Sequence, residues 1–389
     1  MNVRITSNRI YIYIIILVVF LNCASSENLK GKTTNEFHPV EPNQIPEILT
    51  MISEKIRGNY ERIETWQGEA DIIFERIFEG ERAERIFNTY VDNAGKTPKI
   101  LKRHQEHKIK FAIDMEKDLL CVNSYRDKPS KYTDFETGKV LGTKSKPWYE
   151  TSIVTPEYYL HLRPHAFQKD VVIRHMASKE ANEKNSTCNR PPFFDPRENF
   201  LRGMPIWEIF RLLTQYIYKH GEWNVDGHTL KVEKCTDANN TKYRIIQPTI
   251  VSPGNYIFLA KTFSSEVGFN MILEENTNQE GRLLNKVILD YELVNGIYLP
   301  SKTTEQNYER ENGGLSYEAK HTFKNQKVNM PIPEETFTYK NLGLKNGDIF
   351  EDKIEGKEYK YQDANLVFVK DLPAPASSKQ GTAVAEPNQ

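Results

Sequence analysis

Residues 287–305, which read VILDYELVNGIYLPSKTTE, contain the strongest fold signal in the chain. Apolar and polar residues alternate up to Asn295-Gly296, and two further apolar residues and Pro300 follow it. An Asn-Gly pair between alternating runs is typical of a two-residue hairpin turn with positive φ at both positions. Proline has no N–H to give to a sheet, so we expect Pro300 at an edge or where the ladder is interrupted. The stretch therefore predicts a β-hairpin with one apolar face and one polar face.

Other segments with the same two-residue period lie on both sides of this hairpin. KIKFAID at 108–114 alternates strictly, and the run FNMILEE at 269–275 is similar. Because every second residue of a strand points to the same face, the apolar members of these segments predict one shared apolar face. Its predicted members are Ile72, Phe74, Ile109, Phe111, Ile113, Phe269, Met271, Leu273, Leu289 and Tyr291.

Two segments have a helical period instead. Apolar residues spaced by three and four predict amphipathic helices at 45–63 and 205–219, and Phe210 lies in the apolar stripe of the second. Between the strands, the proline-rich residues 126–204 predict an irregular insertion. A sheet of roughly eleven antiparallel strands cannot stay flat, because strand twist accumulates. We predict a mainly β (α+β) fold, in which a curved antiparallel sheet forms an incomplete β-barrel and the two helices cover it as lids.

The two ends of the chain differ in composition from the rest. Residues 1–26 combine an early positive charge with a short apolar run at 10–21, which predicts a signal peptide, with an uncleaved N-terminal anchor as the alternative. Cys23 follows that run directly, at the position where a bacterial lipoprotein is acylated, so a lipid anchor is a further alternative. We expect a linker at 27–44 and a disordered tail at 371–389.

The cysteines set a limit on disulfide formation. If the signal peptide is removed, Cys121, Cys188 and Cys235 remain, so at most one intramolecular disulfide can form. Cys188 and Cys235 are the candidate pair, because both lie in polar, loop-like sequence. Cys121, in DLLCVN, is instead predicted to be a buried strand residue.

Composition and motifs argue against several classes of function. Lys+Arg total 52 and Asp+Glu total 53, so no basic excess indicates nucleic-acid binding. The sequence contains no G-x-S-x-G nucleophile motif. His104 and His107 lie three residues apart in a strongly charged segment, which favours a solvated hairpin end over a metal site. We predict a protein that is not an enzyme and has neither a cofactor nor a bound metal.

The order of these elements resembles the LolA-like family of periplasmic lipoprotein carriers. The likeness rests on the helix at 45–63 followed by WQGEADIIF, then KIKFAIDMEKDLLCV, and finally LNKVILDYELVNGIYLPSKTTE. It extends over about residues 27–326. The later residues 327–370 resemble a C-terminal extension of large exported LolA-like proteins of the planctomycete type. The resemblance implies a domain at 45–326, built as an incomplete barrel with a helical lid and a hydrophobic cavity for acyl chains.

This resemblance sets the functional expectation. It implies an exported binding protein of the periplasm or cell envelope, with a lipid or the acyl chain of a lipoprotein as its partner. The predicted ligand-binding residues are Ile72, Phe74, Phe111, Ile113, Phe269, Met271, Leu273, Leu289, Tyr291 and Phe210. The alternative is an envelope interaction or scaffold module whose barrel is filled by its own side chains, because alternation looks the same over a packed core and over a pocket.

Overall fold

The computed structural model describes residues 36–91, 97–144, 148–163, 171–176, 206–225, 227–237, 240–252, 254–309 and 313–373. The predicted signal peptide, Cys23 and Cys188 lie outside these residues. The chain forms two compact units. Unit 1 contains the described residues that fall within Met1–Glu116, Val122–Trp148 and Arg190–Ile332, and unit 2 those that fall within Lys117–Cys121, Tyr149–Asn189 and Pro333–Gln389.

The α-helices are α1 (Ile45–Tyr60), α2 (Gly80–Tyr90) and α3 (Ile206–His220). The strands are β1 (His38–Pro39), β2 (Thr65–Glu79), β3 (Ile100–Asp114), β4 (Leu119–Arg126), β5 (Ser130–Asp134), β6 (Val140–Lys144), β7 (Trp148–Val154), β8 (Tyr158–Arg163), β9 (Val171–Met176), β10 (Asn224–Val225), β11 (His228–Thr229), β12 (Lys231–Thr236), β13 (Thr241–Ser252), β14 (Asn255–Ser264), β15 (Asn270–Asn278), β16 (Leu283–Val294), β17 (Ile297–Tyr308), β18 (Leu315–Val328), β19 (Ile349–Asp352), β20 (Lys357–Gln362) and β21 (Asn365–Asp371).

Unit 1 is a large antiparallel sheet. Its strands pair in the order β1-β12-β13-β14-β15-β16-β17-β18-β2-β3-β5-β6. The sheet is curved and does not close, which confirms the predicted fold class. Long neighbouring strands such as β2 and β3 stay in register over their full length, so rows of side chains cross the sheet without interruption.

The hairpin that opened the sequence analysis joins β16 to β17 in this sheet. Asn295 has φ 51° and Gly296 has φ 76°, as the two-residue turn requires. Further along, Asp290 pairs with Lys302 but Tyr291 pairs with Pro300, so one residue of β17 is extra at this point. Both the turn and the interruption of the ladder at Pro300 are confirmed.

Helices α1 and α3 pack against each other and against one face of the unit 1 sheet. The Tyr60 ring stacks on that of Trp207 at a centroid distance of 6.4 Å, and the Ser53 hydroxyl donates to the Trp207 carbonyl at 2.9 Å. Phe210 of α3 meets Phe263 of β14 edge to face at 5.3 Å. The apolar stripes of both helices therefore lie inward. Each large apolar side chain that is fully buried in this way stabilises the fold by about 1.5–3 kcal/mol.

The aromatic and β-branched residues of AERIFNTYVD at 83–92 predict a strand, whereas the structure forms α2 at Gly80–Tyr90. Ala83 and Phe87, four residues apart, are buried against Phe78, Leu101 and Tyr132 of the sheet. The first half of the segment carries four charged residues, Glu81, Arg82, Glu84 and Arg85, and Glu, Arg and Ala favour a helix. The helical period of the two buried residues was the signal that the strand interpretation overlooked.

The expectation of an irregular insertion at 126–204 is wrong in its described part. That part forms β5 to β9, and its second half belongs with the C-terminal segment in unit 2, not with the insertion's first half. In unit 2, β7 pairs with β8, β8 with β9, β9 runs parallel to β19, and β19 to β21 form a meander. Strands β5 to β9 were missed because each is only five to seven residues long, which is too short for apolar and polar residues to alternate clearly.

Two smaller expectations also need correction. The predicted linker at 27–44 includes β1, which pairs with β12 through His38 and Lys234, so its described end is part of the sheet. Cys235 lies buried in β12, not in a polar loop. Cys121 is buried in β4, as predicted, and the Asn341 side chain donates to its sulfur at 3.2 Å.

Candidate functional site

We define the inner face of unit 1 as the face of the sheet that α1 and α3 contact. Directly opposed residues of antiparallel strands share a face, so the register assigns side chains to it. One row runs Leu289, Thr303, His321, Ile72 and His107 across β16, β17, β18, β2 and β3. The adjacent row contains Glu305, Ala319, Phe74 and Gln105, and the one after that contains Asn307, Tyr317, Arg76 and Arg103. The inner face is thus apolar at some rows and polar at others.

Most of the predicted ligand-binding residues lie on this face, and many are fully buried. Buried members are Ile72, Phe111, Ile113, Met271, Leu289 and Phe210, and the half-buried ones are Phe74 and Tyr291. Phe111 packs edge to face against Trp66 at 5.1 Å. The Tyr291 hydroxyl donates to the Met271 carbonyl at 2.8 Å, and burial raises the pKa of Tyr291. These side chains form a packed region next to the helices.

Two predicted members do not lie where the alternation placed them. Thr262 pairs with Leu273 but Phe263 pairs with Met271, so Ile272 is an extra residue and forms a β-bulge. The bulge turns Leu273 to the opposite face from Met271. Phe269 precedes β15 with φ 61° and packs near Tyr243, so it belongs to the turn and not to a strand. A bulge cannot be read from alternation, because the pattern continues through it unchanged.

The middle rows of the inner face form a cluster of polar side chains around one phenylalanine, which we call the polar belt. It consists of Tyr317, Arg76, Arg103, His107 and His321, which surround Phe74. Phe74 is at its centre: its ring lies 5.0 Å from that of His107, 6.3 Å from that of Tyr317 and 6.4 Å from that of His321. Phe74 and Tyr317 stay half-buried, whereas the neighbouring Ile72 is 1% exposed. Phe74 and Tyr317 are therefore partly accessible although they lie next to fully buried side chains.

The two histidines of the belt are held in the neutral form. Burial, with Arg126 and Arg103 nearby, lowers the pKa of His107 to about 4. Burial alone lowers the pKa of His321 to about 4. His321 is 2% exposed, and neither of its ring nitrogens has a hydrogen-bond partner among the described residues. A buried polar group without a hydrogen-bond partner costs about 1–3 kcal/mol, so His321 destabilises the folded state at this position.

Arginines face the same rows. Arg76 and Arg103 are direct register partners on β2 and β3. Burial and then the nearby Arg82 lower the pKa of Arg76, and burial and then Arg103 lower the pKa of Arg126. Arg103 lies over the Tyr132 ring at 6.0 Å, and its Nε is buried without a hydrogen-bond partner within the described ranges. Positive charge is therefore concentrated at this end of the inner face.

Sequence reasoning assigned His104 and His107 to a solvated hairpin end, which is wrong. Both lie within β3, where His107 points inward and His104 approaches the Glu75 carboxylate at 3.2 Å. The alternation that correctly placed Phe111 continues two residues at a time to His107 and Arg103. Extending the pattern past its apolar part would have found the belt on this strand.

Asn59 fastens the covering helix to the sheet. Its amide nitrogen donates to the Tyr298 carbonyl and its amide oxygen accepts from the Tyr298 N–H, both at 2.9 Å. One side chain thus replaces a missing strand partner at the start of β17, and Asn59 is buried. No sequence motif indicates such a bridge, because the two residues are far apart in the chain.

Unit 2 contains a separate polar pair. His161 Nε2 lies 2.5 Å from the Glu150 carboxylate, both side chains are buried, and Ser152 is the register partner of His161. A nucleophilic serine must hydrogen bond to its base, but the Ser152 hydroxyl pairs with that of Tyr159 at 3.4 Å. The geometry therefore fits a buried structural pair and not a catalytic dyad.

Among the described residues, His, Cys, Asp and Glu form no group of three that could hold a metal ion. Within the same ranges, none of the helices combines the length and the apolar character needed to cross a membrane.

Comparison with known proteins gives structural neighbours at low similarity. A domain described as an outer membrane lipoprotein-sorting protein domain, from Vibrio parahaemolyticus, is similar at 9% identity, covering 76% of this chain and 98% of that one, with a TM-score of 0.38. A DUF1329 family protein from Desulfovibrio piger is similar at 12% identity, covering 78% and 100%, with a TM-score of 0.29. No protein-family model matches the sequence, and no curated protein matches it. Likeness at this level does not assign the chain to a family.

Proposed function

We propose that unit 1 binds a hydrophobic ligand, a lipid or the acyl chain of a lipoprotein, on its inner face after export to the periplasm or cell envelope. The observation that supports this is the partial accessibility of Phe74 and Tyr317 on the same face as the buried Ile72 and Leu289. An aromatic surface left half-buried beside a packed apolar region is suited to an apolar ligand. Each methylene taken from water would contribute about 0.8 kcal/mol.

Opening of α1 and α3 would admit the ligand in this proposal. Tyr60 and Ser53 of α1 contact Trp207 of α3, and Asn59 joins α1 to β17 by two hydrogen bonds. Those bonds are worth about 1 kcal/mol each in net terms. Burial of the apolar stripes of both helices also opposes opening, so the ligand has to replace that apolar contact with its own chain.

The first test is lipid extraction from protein purified from its own envelope, followed by mass spectrometry. We expect an apolar molecule in stoichiometric amount. A matched pair of variants sharpens the test: Phe74→Ser removes half-buried aromatic surface on the inner face, and Phe135→Ser removes an exposed ring elsewhere in unit 1. Loading should fall several-fold for Phe74→Ser only. Phe111 and Leu289 are less useful targets, because a charge at either buried position would unfold the sheet.

A second candidate function is a scaffold with a filled interior, and one observation favours it. Ile72, Phe111, Met271 and Leu289 are at most 4% exposed, so this part of the inner face is already packed. Folded protein that carries no lipid and does not respond to acyl probes would support the scaffold and refute the carrier. In both proposals the protein performs no chemistry, and the exported planctomycete-type origin stays a prediction.

A further inference from the structure

The polar belt combines charges and an apolar surface in a way that the binding of a purely apolar ligand does not explain. Arg76 and Arg103 occupy one row of the inner face, and Phe74 lies in the next row. Arginine presents several N–H donors in a planar fork that suits carboxylate, sulfate or phosphate oxygens. Packing two such cations side by side is unfavourable unless an anion joins them.

Among the described residues, no carboxylate of this face forms an ion pair with either arginine. One ion pair of the inner face joins Lys261 of β14 to Glu274 of β15 at 3.6 Å. Glu305 lies on β17, which is three strands from Arg103, and burial followed by Glu274 raises its pKa. Glu309 raises the pKa of Arg76, but its effect is smaller than that of burial or of Arg82, which both lower it.

The second observation is the unsatisfied hydrogen-bonding capacity beside these charges. The Arg103 Nε is buried without an acceptor, and His321 lies two rows away with both ring nitrogens unpaired, in each case within the described part of the chain. Phe74 separates the arginines from His321 and contacts the imidazole ring at 6.4 Å. Donors and one aromatic surface thus converge on a single partly accessible region.

We propose that Arg76 and Arg103 bind the anionic head of an amphiphile whose apolar part lies over Phe74 toward the helix-covered rows. This inference rests on the proposed function, because it assumes that the inner face takes an apolar chain. The shared chemistry is a carboxylate, sulfate or phosphate group, and the attached chain distinguishes an amphiphile from a free anion.

The test compares lauric acid with lauryl alcohol by calorimetric titration near pH 8, below the concentrations at which either assembles. The full mature chain should bind the acid about tenfold more tightly than the alcohol. Arg103→Gln should abolish that preference, measured as the ratio of the two affinities in the same variant, and Arg103→Lys should retain part of it because the charge is kept. Arg57→Gln, an exposed arginine of α1, is the control and should behave as the parent protein.

The outcomes separate the two proposals. Equal affinity for the acid and the alcohol in the parent protein would overturn the anion site and leave the carrier function standing. Failure to bind either compound would overturn both. Inorganic phosphate that binds as tightly as lauric acid would show a free-anion site and overturn the amphiphile. Preference lost equally in Arg57→Gln would also refute the assignment, because a general loss of positive charge would then explain it.

Discussion

The neutral state of the buried His321 should make unit 1 sensitive to mild acid. Burial lowers its pKa from the ordinary value of 6.5 to about 4, so the unfolded chain binds more protons than the folded one between these values. Stability is therefore complete above pH 6.5 and falls as the pH decreases toward 4. Each pKa unit corresponds to about 1.4 kcal/mol, so at pH 5 the protonation of the unfolded state should cost about 2 kcal/mol.

The assay is denaturant unfolding of the parent protein and of His321→Leu at pH 7.5 and pH 5. The parent should lose about 2 kcal/mol more than the variant between these conditions. Other groups on the same face also titrate, namely His107 on β3, Tyr317 on β18 and Glu305 on β17, but their contribution is common to both proteins. His38→Leu, at an exposed histidine of β1, should show the full parental loss.

The reasoning would be refuted if His321→Leu lost as much stability on acidification as the parent does. Such a result would mean that water or another group reaches the imidazole and that its proton is bound equally in both states. A smaller difference, below about 0.5 kcal/mol, would have the same meaning, since a shift of that size requires no burial.

Two further predictions concern the backbone and the lid. Gly296→Ala should destabilise the protein by about 1–2 kcal/mol, because Gly296 has φ 76° and a side chain in this conformation is strained. The control Gly58→Ala, in the exposed part of α1 with open space around the new methyl, should stabilise the protein by about 0.5–1 kcal/mol. Equal effects of the two substitutions in thermal unfolding would contradict the turn assignment. Asn59→Ala should lower the free energy of unfolding by about 1–3 kcal/mol, because it leaves the Tyr298 backbone groups unpaired. The same variant should accelerate amide hydrogen exchange in α1 more than in β16. Unchanged exchange in α1 would show that these hydrogen bonds do not hold the helix.

Much of the fold could be predicted from local sequence, because its determinants are local. Asn295-Gly296 fixes the turn between β16 and β17, and strict alternation identifies β3 and the buried side chain of Phe111. The stripes of α1 and α3 follow from apolar spacing alone. Each of these signals needs only a few neighbouring residues, so one sequence is enough to read it.

Other features depend on residues distant in the chain, and these could not be predicted. The bulge at Ile272 exists because β14 and β15 pair with one residue in excess, which nothing in FNMILEE reveals. The row that joins His321 to His107 requires the register of three strands, although β2 lies more than two hundred residues before β18. The sequence predicts which residues of one strand share a face, but it does not predict which strands pair and so bring His321 and His107 together.

The composition of the inner face bears on the choice between a carrier and a filled scaffold. A packed core gains most when its members are apolar, and the buried Ile72, Phe111 and Leu289 meet that condition. Arg103 and His321 on the same face do not, since unpaired donors and charges lose free energy when they are removed from water. Selection for stability alone would replace these two residues with apolar residues of similar volume. The presence of Arg103 beside apolar side chains is explained if a molecule with both a polar and an apolar part binds there.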